Sequence, residues 1–273
     1  VIAFDVLDQI DIRVGTIERV EDVSKSNKLV RLVVNFGDHT RNILAGMKQE
    51  RENPREIEGK QAFVERYAFG SAFWRERTVA DAPEVAAQLK ANQKDLAEYY
   101  YAMAQKEKKP EDYASAARWY RAMLDSFPQD PEAPANRFTL GEVLFESGRF
   151  AEAAKEYETA AYDYPAHPKS SAAGYAALVS YQKHEPTLQG QPKAVWHQQG
   201  IESALMFATS FPEHPESARV HTKADEDLFA LNDFDRVIEV STSILERNPP
   251  VDRKFQRTAI TLLAHSLFDR GRF

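Results

Sequence analysis

A proline-marked step of 37 residues constrains this chain more than any other feature. Phe127-Pro128, Tyr164-Pro165, Phe211-Pro212 and Asn248-Pro249 follow one another at spacings of 37, 47 and 37. After the first three, a second proline comes three residues later, at Pro131, Pro168 and Pro215. Steps of this size are made by stacked helical hairpins, none of which can bury its apolar face alone. The long interval carries ten extra residues, and the stretch from Glu185 to Pro192 reads as the loop that absorbs them.

The clearest step runs from Arg137 to Pro165. Phe150, Ala153, Ala154, Tyr157, Ala160, Ala161 and Tyr164 fall at helical spacing and make one apolar stripe. Leu140, Gly141 and Leu144 face that stripe from the preceding helix. Gly141 and Ala153 are small enough for close approach, and Gly148 sits where the chain must turn through a left-handed backbone. Leu140, Gly141, Leu144, Gly148, Ala153, Tyr157, Ala160 and Pro165 resemble the tetratricopeptide repeat, each standing where that motif expects it. The resemblance implies a helical-hairpin solenoid whose concave face holds a peptide or protein partner. The Phe-Pro-x-x-Pro punctuation is similar to repeats of bacterial envelope proteins.

The other steps are in phase. Tyr113, Ala116 and Tyr120 lead to Pro128; Phe234 and Ile238 lead to Pro249. Asp81-Ala82-Pro83-Glu84 reads as a helix start with a capping acid, and no breaker follows before Gln105. The last nine residues, His265 to Phe273, echo Val143 to Phe150, a helix and its turn. The expectation is therefore a solenoid that stops short of its final partner helix.

Ahead of residue 65 the pattern is different. Ile10-Asp11-Ile12-Arg13-Val14 alternates as a half-buried strand does, and the parity changes at Gly15-Thr16, a bulge signal. Val30, Leu32, Val34 and Phe36 form a second alternating run. Gly37-Asp38 signals a turn, and Thr40 to Gly46 reads as a third strand. After a polar stretch with Pro54, Lys60 to Val64 reads as the start of a fourth. A curled strand followed by a hairpin is how a small Greek-key barrel begins. Asp11-Ile12-Arg13-Val14-Gly15-Thr16-Ile17, Ser26-Asn27-Lys28-Leu29, Arg41-Asn42-Ile43-Leu44-Ala45-Gly46 and Ile57-Glu58-Gly59-Lys60 resemble the tRNA-binding OB domain. That domain occurs as the C-terminal appendix of methionyl-tRNA synthetase and as free-standing tRNA-binding proteins. The resemblance implies tRNA contacts from Arg13, Lys28, Arg31, Arg41 and Asn42. It stops after about 60 residues, where Glu65-Arg66-Tyr67-Ala68-Phe69-Gly70 replaces the family's last strand, so the barrel is expected to be incomplete.

The expected architecture is thus mainly α. An incomplete OB-type barrel over 1–64 leads through a junction at 65–82 into a tetratricopeptide-type solenoid over 83–273. Charge limits what the first part can do. The chain holds 35 Lys and Arg against 42 Asp and Glu, a net charge of −7. It is not a general nucleic-acid coat, and any RNA surface must be a local patch. Up to Val64 ten basic residues are interspersed with eleven acids, whereas phosphate binding rests on clustered cations. Solvated strand faces are therefore the competing reading of the five candidate contacts.

No catalytic constellation emerges. Cysteine is absent, which removes disulfides, thiolate zinc sites and cysteine nucleophiles. There is no phosphate loop, nucleophile elbow or dinucleotide fingerprint. His167 and His214 occupy equivalent places before Pro168 and Pro215, which argues for turn chemistry over metal ligation. His214 and His221 lack a third ligand, and Asp225 and Asp227 lack the glycine and closing Glu of a calcium loop. No cofactor is expected, and no apolar run approaches the roughly 20 residues that cross a bilayer. Three consecutive tyrosines, Tyr99 to Tyr101, cannot all face one core. Tyr100, Tyr101 and Trp119 are therefore candidates for a partner groove, against packing on the segment from Phe69 to Trp74.

The primary expectation is a non-enzymatic scaffold in the cytoplasm, with the periplasm as the alternative that the envelope-like punctuation suggests. A second reading is a tRNA-binding accessory whose repeats recruit a partner. A third is an unnatural join of two unrelated partial proteins.

Overall fold

The structure is a computed structural model, and it describes residues 16–23, 30–45 and 54–271. The chain divides into two compact units, Val1–Glu65 and Arg66–Phe273.

In the first unit, β1 (Thr16–Asp22), β2 (Val30–Asn35) and β3 (Thr40–Ala45) form an antiparallel sheet in the order β1-β2-β3. The β1–β2 register shifts between Ile17 and Arg19, just beyond the parity change at Gly15-Thr16. The expected strand Ile10 to Val14 lies outside the described residues. Gly37 takes a φ of +94° in the β2–β3 turn, a conformation that costs glycine nothing. Its N–H donates to Asn35 Oδ1 at 2.8 Å, and Phe36 N–H donates to His39 O at 2.9 Å. Leu32 and Val34 are buried on one face of β2, as the alternation requires.

The fourth strand does not form. Helix α1 (Pro54–Tyr67) occupies the segment in which Lys60 to Val64 was expected to be extended. Ala62-Phe63-Val64 is a short apolar run that suits either structure. Helical order is favoured by the Glu56–Lys60 ion pair, four residues apart at 2.5 Å. Ile57 and Val64 also fall seven residues apart on one helix face, and Val64 is buried.

The second unit is helical. Its helices are α2 (Pro83–Glu107), α3 (Pro110–Ser126), α4 (Ala133–Glu146), α5 (Phe150–Tyr162), α6 (Ser170–His184), α7 (Gly190–Ser210), α8 (Ser217–Ala230), α9 (Phe234–Leu245) and α10 (Arg253–Asp269). Each packs against the next along the chain, and α10 also touches α8. The α4–α5 pair shows how. Phe145 at the end of α4 meets Phe150 at the start of α5, with ring centroids 5.1 Å apart. At the other end Arg137 reaches Glu156 at 2.5 Å and the Tyr164 hydroxyl at 3.2 Å. The two helices are therefore antiparallel. Gly148 joins them at a φ of +77°.

Burial follows the stripes read from the sequence. Leu140, Leu144, Ala153 and Ala160 are fully buried, and Tyr157 nearly so. Burying a leucine side chain contributes about 2 kcal/mol, so the shared seams carry this unit. Farther along, Ile201, Ala224, Leu228, Val237, Ile244 and Ala259 form one core across α7 to α10.

Two local expectations change. Asp81 does not cap α2. The N-cap is Ala82, and Asp81 Oδ2 instead accepts from the Thr78 amide and hydroxyl, both at 2.7 Å. That pairing holds the Asp81 carboxyl below the usual aspartate range. The ten extra residues are not simply a loop either. They make a 3-10 turn, Glu185–Thr187, and the first turns of α7. Proline is tolerated in a helix's first turn, so Pro192 does not stop it. As a result α7 has 21 residues, against 13 in α5 and 12 in α9.

Candidate functional site

The residues of the sheet place part of the expected tRNA surface. Arg31 stands opposite Glu21 on β1 and opposite Leu44 on β3. Asn42 stands opposite Val33, on the same face as Arg31 by the two-residue alternation. Arg41 stands opposite the buried Val34, on the other face. The sheet thus brings Arg31 and Asn42 together and leaves Arg41 apart; Arg13 and Lys28 lie outside the described residues. Arg31 is not an isolated cation. Its Nη1 is 3.4 Å from Glu21 Oε2, and Arg19 holds the other oxygen of that carboxylate at 2.8 Å. Both arginines are exposed and Glu21 is half-buried, and ion pairs this open to water stabilise little. Leu44 is also exposed beside Arg31.

Residues 12–65 match the family model described as "Putative tRNA binding domain". The chain carries a tRNA-binding domain at its N-terminus. Similar proteins agree on the same segment. Methionine–tRNA ligase of Methanococcoides burtonii is 45% identical over 64 residues, 23% of this chain and 9% of that protein. The ligase of Archaeoglobus fulgidus is 36% identical over 63 residues, and that of Chlorobium chlorochromatii 41% over 63; each alignment covers 23% of this chain and 9% of the ligase. The chain therefore spans under a tenth of the length of these curated relatives. What it shares with them is the tRNA-binding domain alone.

The second unit offers a cavity of about 210 Å³ between α6, α7 and α8. Leu178, Ile201, Ala204, Val220 and Ala224 supply an apolar lining. Trp196 forms one wall, with its ring centroid 4.5 Å from that of Tyr181 and 4.7 Å from that of His184. Its Nε1–H donates to Tyr181 O at 3.0 Å, which fixes the ring. The rim is charged. His197 lies 3.3 Å from Glu185, and Lys223 lies 2.6 Å from Asp227. Arg219 pairs with Glu216 and donates to the Tyr175 hydroxyl at 3.1 Å. Glu185, Trp196 and His197 come from the added 3-10 turn and the lengthened start of α7. The ten-residue insertion therefore builds one side of the cavity, and it was the one sequence signal that could have located it.

The groove expected around Tyr100, Tyr101 and Trp119 has a different form. Trp119 is buried at 5% exposure, with the Arg118 guanidinium 4.4 Å above its ring, so it belongs to the core. Tyr100 meets Tyr99 edge-on at 5.3 Å. Tyr101 and Tyr113 both donate to Glu146, one to each carboxylate oxygen at 3.0 Å. Burial and that carboxylate push the Tyr101 hydroxyl well above the ordinary tyrosine range. These tyrosines tie α2 and α3 to α4. Phe69, from the incoming segment, packs on Phe127 at 5.4 Å.

The histidines at the proline steps serve the turns. His167 Nε2 lies 2.7 Å from Ala160 O, while its Nδ1 accepts the Lys169 amide at 3.3 Å. With Nδ1 accepting, Nε2–H is left to donate to the Ala160 carbonyl. At the next step His214 Nδ1 accepts the Glu216 amide at 3.2 Å. Among the described residues no three His, Asp or Glu side chains gather as a metal site, and no helix is long and apolar enough to cross a membrane.

His221 and Asp225, considered above only as metal ligands, are buried polar groups on α8. Asp225 is fully buried, and its Oδ2 accepts from Ser241 at 2.5 Å while Oδ1 has no partner. Burial pushes its carboxyl up to about 7. His221, one turn earlier, is buried with Nδ1 unpartnered, and burial with the nearby Arg247 charge pushes its ring down to about 4.

Proposed function

We propose that this protein is a non-enzymatic scaffold whose helical unit is a tetratricopeptide-type solenoid. Its partner is a peptide segment that lays an apolar side chain into the cavity between α6, α7 and α8. The observation that carries this reading is the insertion. A lengthened α7 turns an ordinary helix-packing seam into an apolar pocket with a charged rim, the usual anatomy of a peptide anchor site. The repeated positions Leu140, Gly141, Leu144, Gly148, Ala153, Tyr157, Ala160 and Pro165 support the solenoid itself. Selection of displayed peptides on the whole chain tests the reading. Enriched peptides should carry a bulky apolar residue and bind Trp196→Ala about tenfold more weakly, as loss of an anchor contact implies. No enrichment, or equal binding by a folded Trp196→Ala variant, refutes it.

A second activity is favoured by a specific observation, the family match over residues 12–65. In this reading the N-terminal domain contacts tRNA through Arg31 and Asn42, and the helical unit brings a partner to that RNA. Cytoplasmic location goes with this reading. Binding of tRNA should weaken steeply with salt, and Arg31→Ala should reduce the salt slope by about one. An affinity that ignores salt, or no binding at all, removes it.

A further inference from the structure

The register shift in β1 aims two charged residues that an unbroken strand would turn inward. Ile17 stands opposite the buried Val34. Without the shift, Arg19 would face the buried Leu32, and Glu21 would share that inner face. The shift between Ile17 and Arg19 instead sets Arg19 opposite Val33 and Glu21 opposite Arg31. Both therefore lie on the outer face, the usual result of a bulge. Glu18, at the shift, accepts from Asn35 Nδ2 at 2.7 Å. Two rows cross the outer face: Arg19, Val33 and Asn42 in one, and Glu21, Arg31 and Leu44 in the next. Glu21 holds both arginines at once. Arg19 Nε meets Oε1 at 2.8 Å, and Arg31 Nη1 meets Oε2 at 3.4 Å. Two guanidinium groups thus divide the two oxygens of one anion between them.

We propose, resting on the tRNA-contact reading above, that Arg19 and Arg31 together grip one phosphodiester of the RNA, and that Glu21 holds its place until the RNA displaces it. Arg19 is then a further contact residue, and Glu21 is an internal competitor that lowers affinity. The chemistry selects the occupant. A phosphodiester presents two free oxygens and one negative charge, as the Glu21 carboxylate does, and arginine recognises both groups through the same donors. Both arginines are exposed, so an incoming anion reaches them, and giving up ion pairs this open to water costs the sheet little. A grip on the backbone reads no base, so it should serve any tRNA equally.

The test titrates the whole chain into labelled, unfractionated tRNA at several salt concentrations and follows anisotropy. Arg19→Ala should lower the slope of log affinity against log salt by about one, as Arg31→Ala does. Arg19→Lys, which keeps the charge, should keep the slope. Glu21→Gln keeps the size of the side chain and removes its charge. It should tighten binding about fivefold, the scale of an exposed ion pair, and steepen the slope by about one. With Arg19→Ala and Arg31→Ala both present, most of that gain should vanish. If Arg31→Ala lowers the slope while Arg19→Ala and Glu21→Gln change nothing, the proposal falls and the tRNA reading stands. If the chain binds no tRNA, both fall. The proposal is also overturned if Glu21→Gln weakens binding, which would make Glu21 a support for the arginines. A gain that persists in full without the arginines overturns it too, because Glu21 would then act by simple repulsion.

Discussion

Two hairpins of this protein solve one packing problem with different chemistry. Gly141 on α4 and Tyr157 on α5 meet at the centre of their seam, and 84 residues later Asp225 on α8 and Ser241 on α9 occupy the matching places. The first pair is steric. A missing Cβ receives the flat face of a tyrosine, whose ring would lie 2.6 Å from any Cβ there. The second pair is polar. A buried carboxylate fills the gap that a smaller Ser241 leaves, and the hydroxyl donates to it at 2.5 Å. The volumes exchange across the seam while the helix path is kept. Backbone geometry therefore tolerates either solution, provided that both partners change together.

The largest effect should come from breaking the steric pair alone. Gly141→Val pushes branched carbons into the Tyr157 ring, and the cost should be about 3 kcal/mol, the upper range for overpacking. Urea unfolding followed by circular dichroism would measure it. The sharper form transplants the other solution. Gly141→Asp with Tyr157→Ser should unfold at higher urea than Gly141→Asp alone. A double variant no better than the single would show that the two seams are not interchangeable.

Next in size is the polar pair. Ser241→Ala removes the hydroxyl that donates to Asp225, and at pH 8 it should cost about 2 kcal/mol, typical of a hydrogen bond to a buried charge. Because the hydroxyl favours the ionised carboxylate, its loss drives the Asp225 carboxyl still higher. The cost should therefore shrink at pH 5, where the acid is protonated in both forms. Equal costs at pH 5 and pH 8 would contradict this account.

The repeat was legible where spacing alone decides structure. The stripe from Phe150 to Tyr164 has one helical reading, and Gly148 marks the turn. Sequence was ambiguous wherever a short run suits two states. Ala62-Phe63-Val64 read as a strand, although the Glu56–Lys60 pair and the spacing of Ile57 to Val64 were already helical signals. The α7 extension read as loop because Gly190 and Pro192 are breakers in a helix interior but acceptable at its start. The cavity was illegible because its walls come from three helices, and only the excess length of one interval hinted at it. Asp225 was weighed as a calcium ligand beside Asp227. Aligning it with Gly141, and Ser241 with Tyr157, would have shown it as half of a seam pair. Trp119 looked like a groove residue because a single sequence does not tell an exposed aromatic from one covered by a neighbouring Arg118.

A smaller effect distinguishes the two seams by pH. The steric pair has no titratable group of ordinary range, whereas α8 carries two with opposite signs. Asp225 titrates at about 7 when folded and near 3.9 when unfolded, so its contribution is present at low pH and lost as pH rises across that window. The His221 ring titrates at about 4 when folded and near 6.5 when unfolded, so stability is lost as pH falls from 6.5 towards 4. Between pH 4.5 and 6 the two slopes, each about 1.4 kcal/mol per pH unit at most, oppose one another. The parent chain should be nearly flat there. Asp225→Asn should become more stable as pH rises, and His221→Leu less stable. Two flat variants would mean that neither group is buried as the structure shows.

The smallest effect should be found at the surface, and it tests whether the seams, not the ion pairs, hold the hairpins. Arg236 on α9 meets both oxygens of Glu202 on α7, at 2.6 and 2.8 Å. The geometry is that of a fork, which is the strongest form of such a pair. Yet half of the Glu202 side chain is exposed, so water screens it. Arg236→Ala should cost less than about 1 kcal/mol, and even that should fade in 1 M salt, where screening extends to about 3 Å. A loss comparable with Gly141→Val, persisting at high salt, would shift the weight of stability from the buried seam to its charged edge.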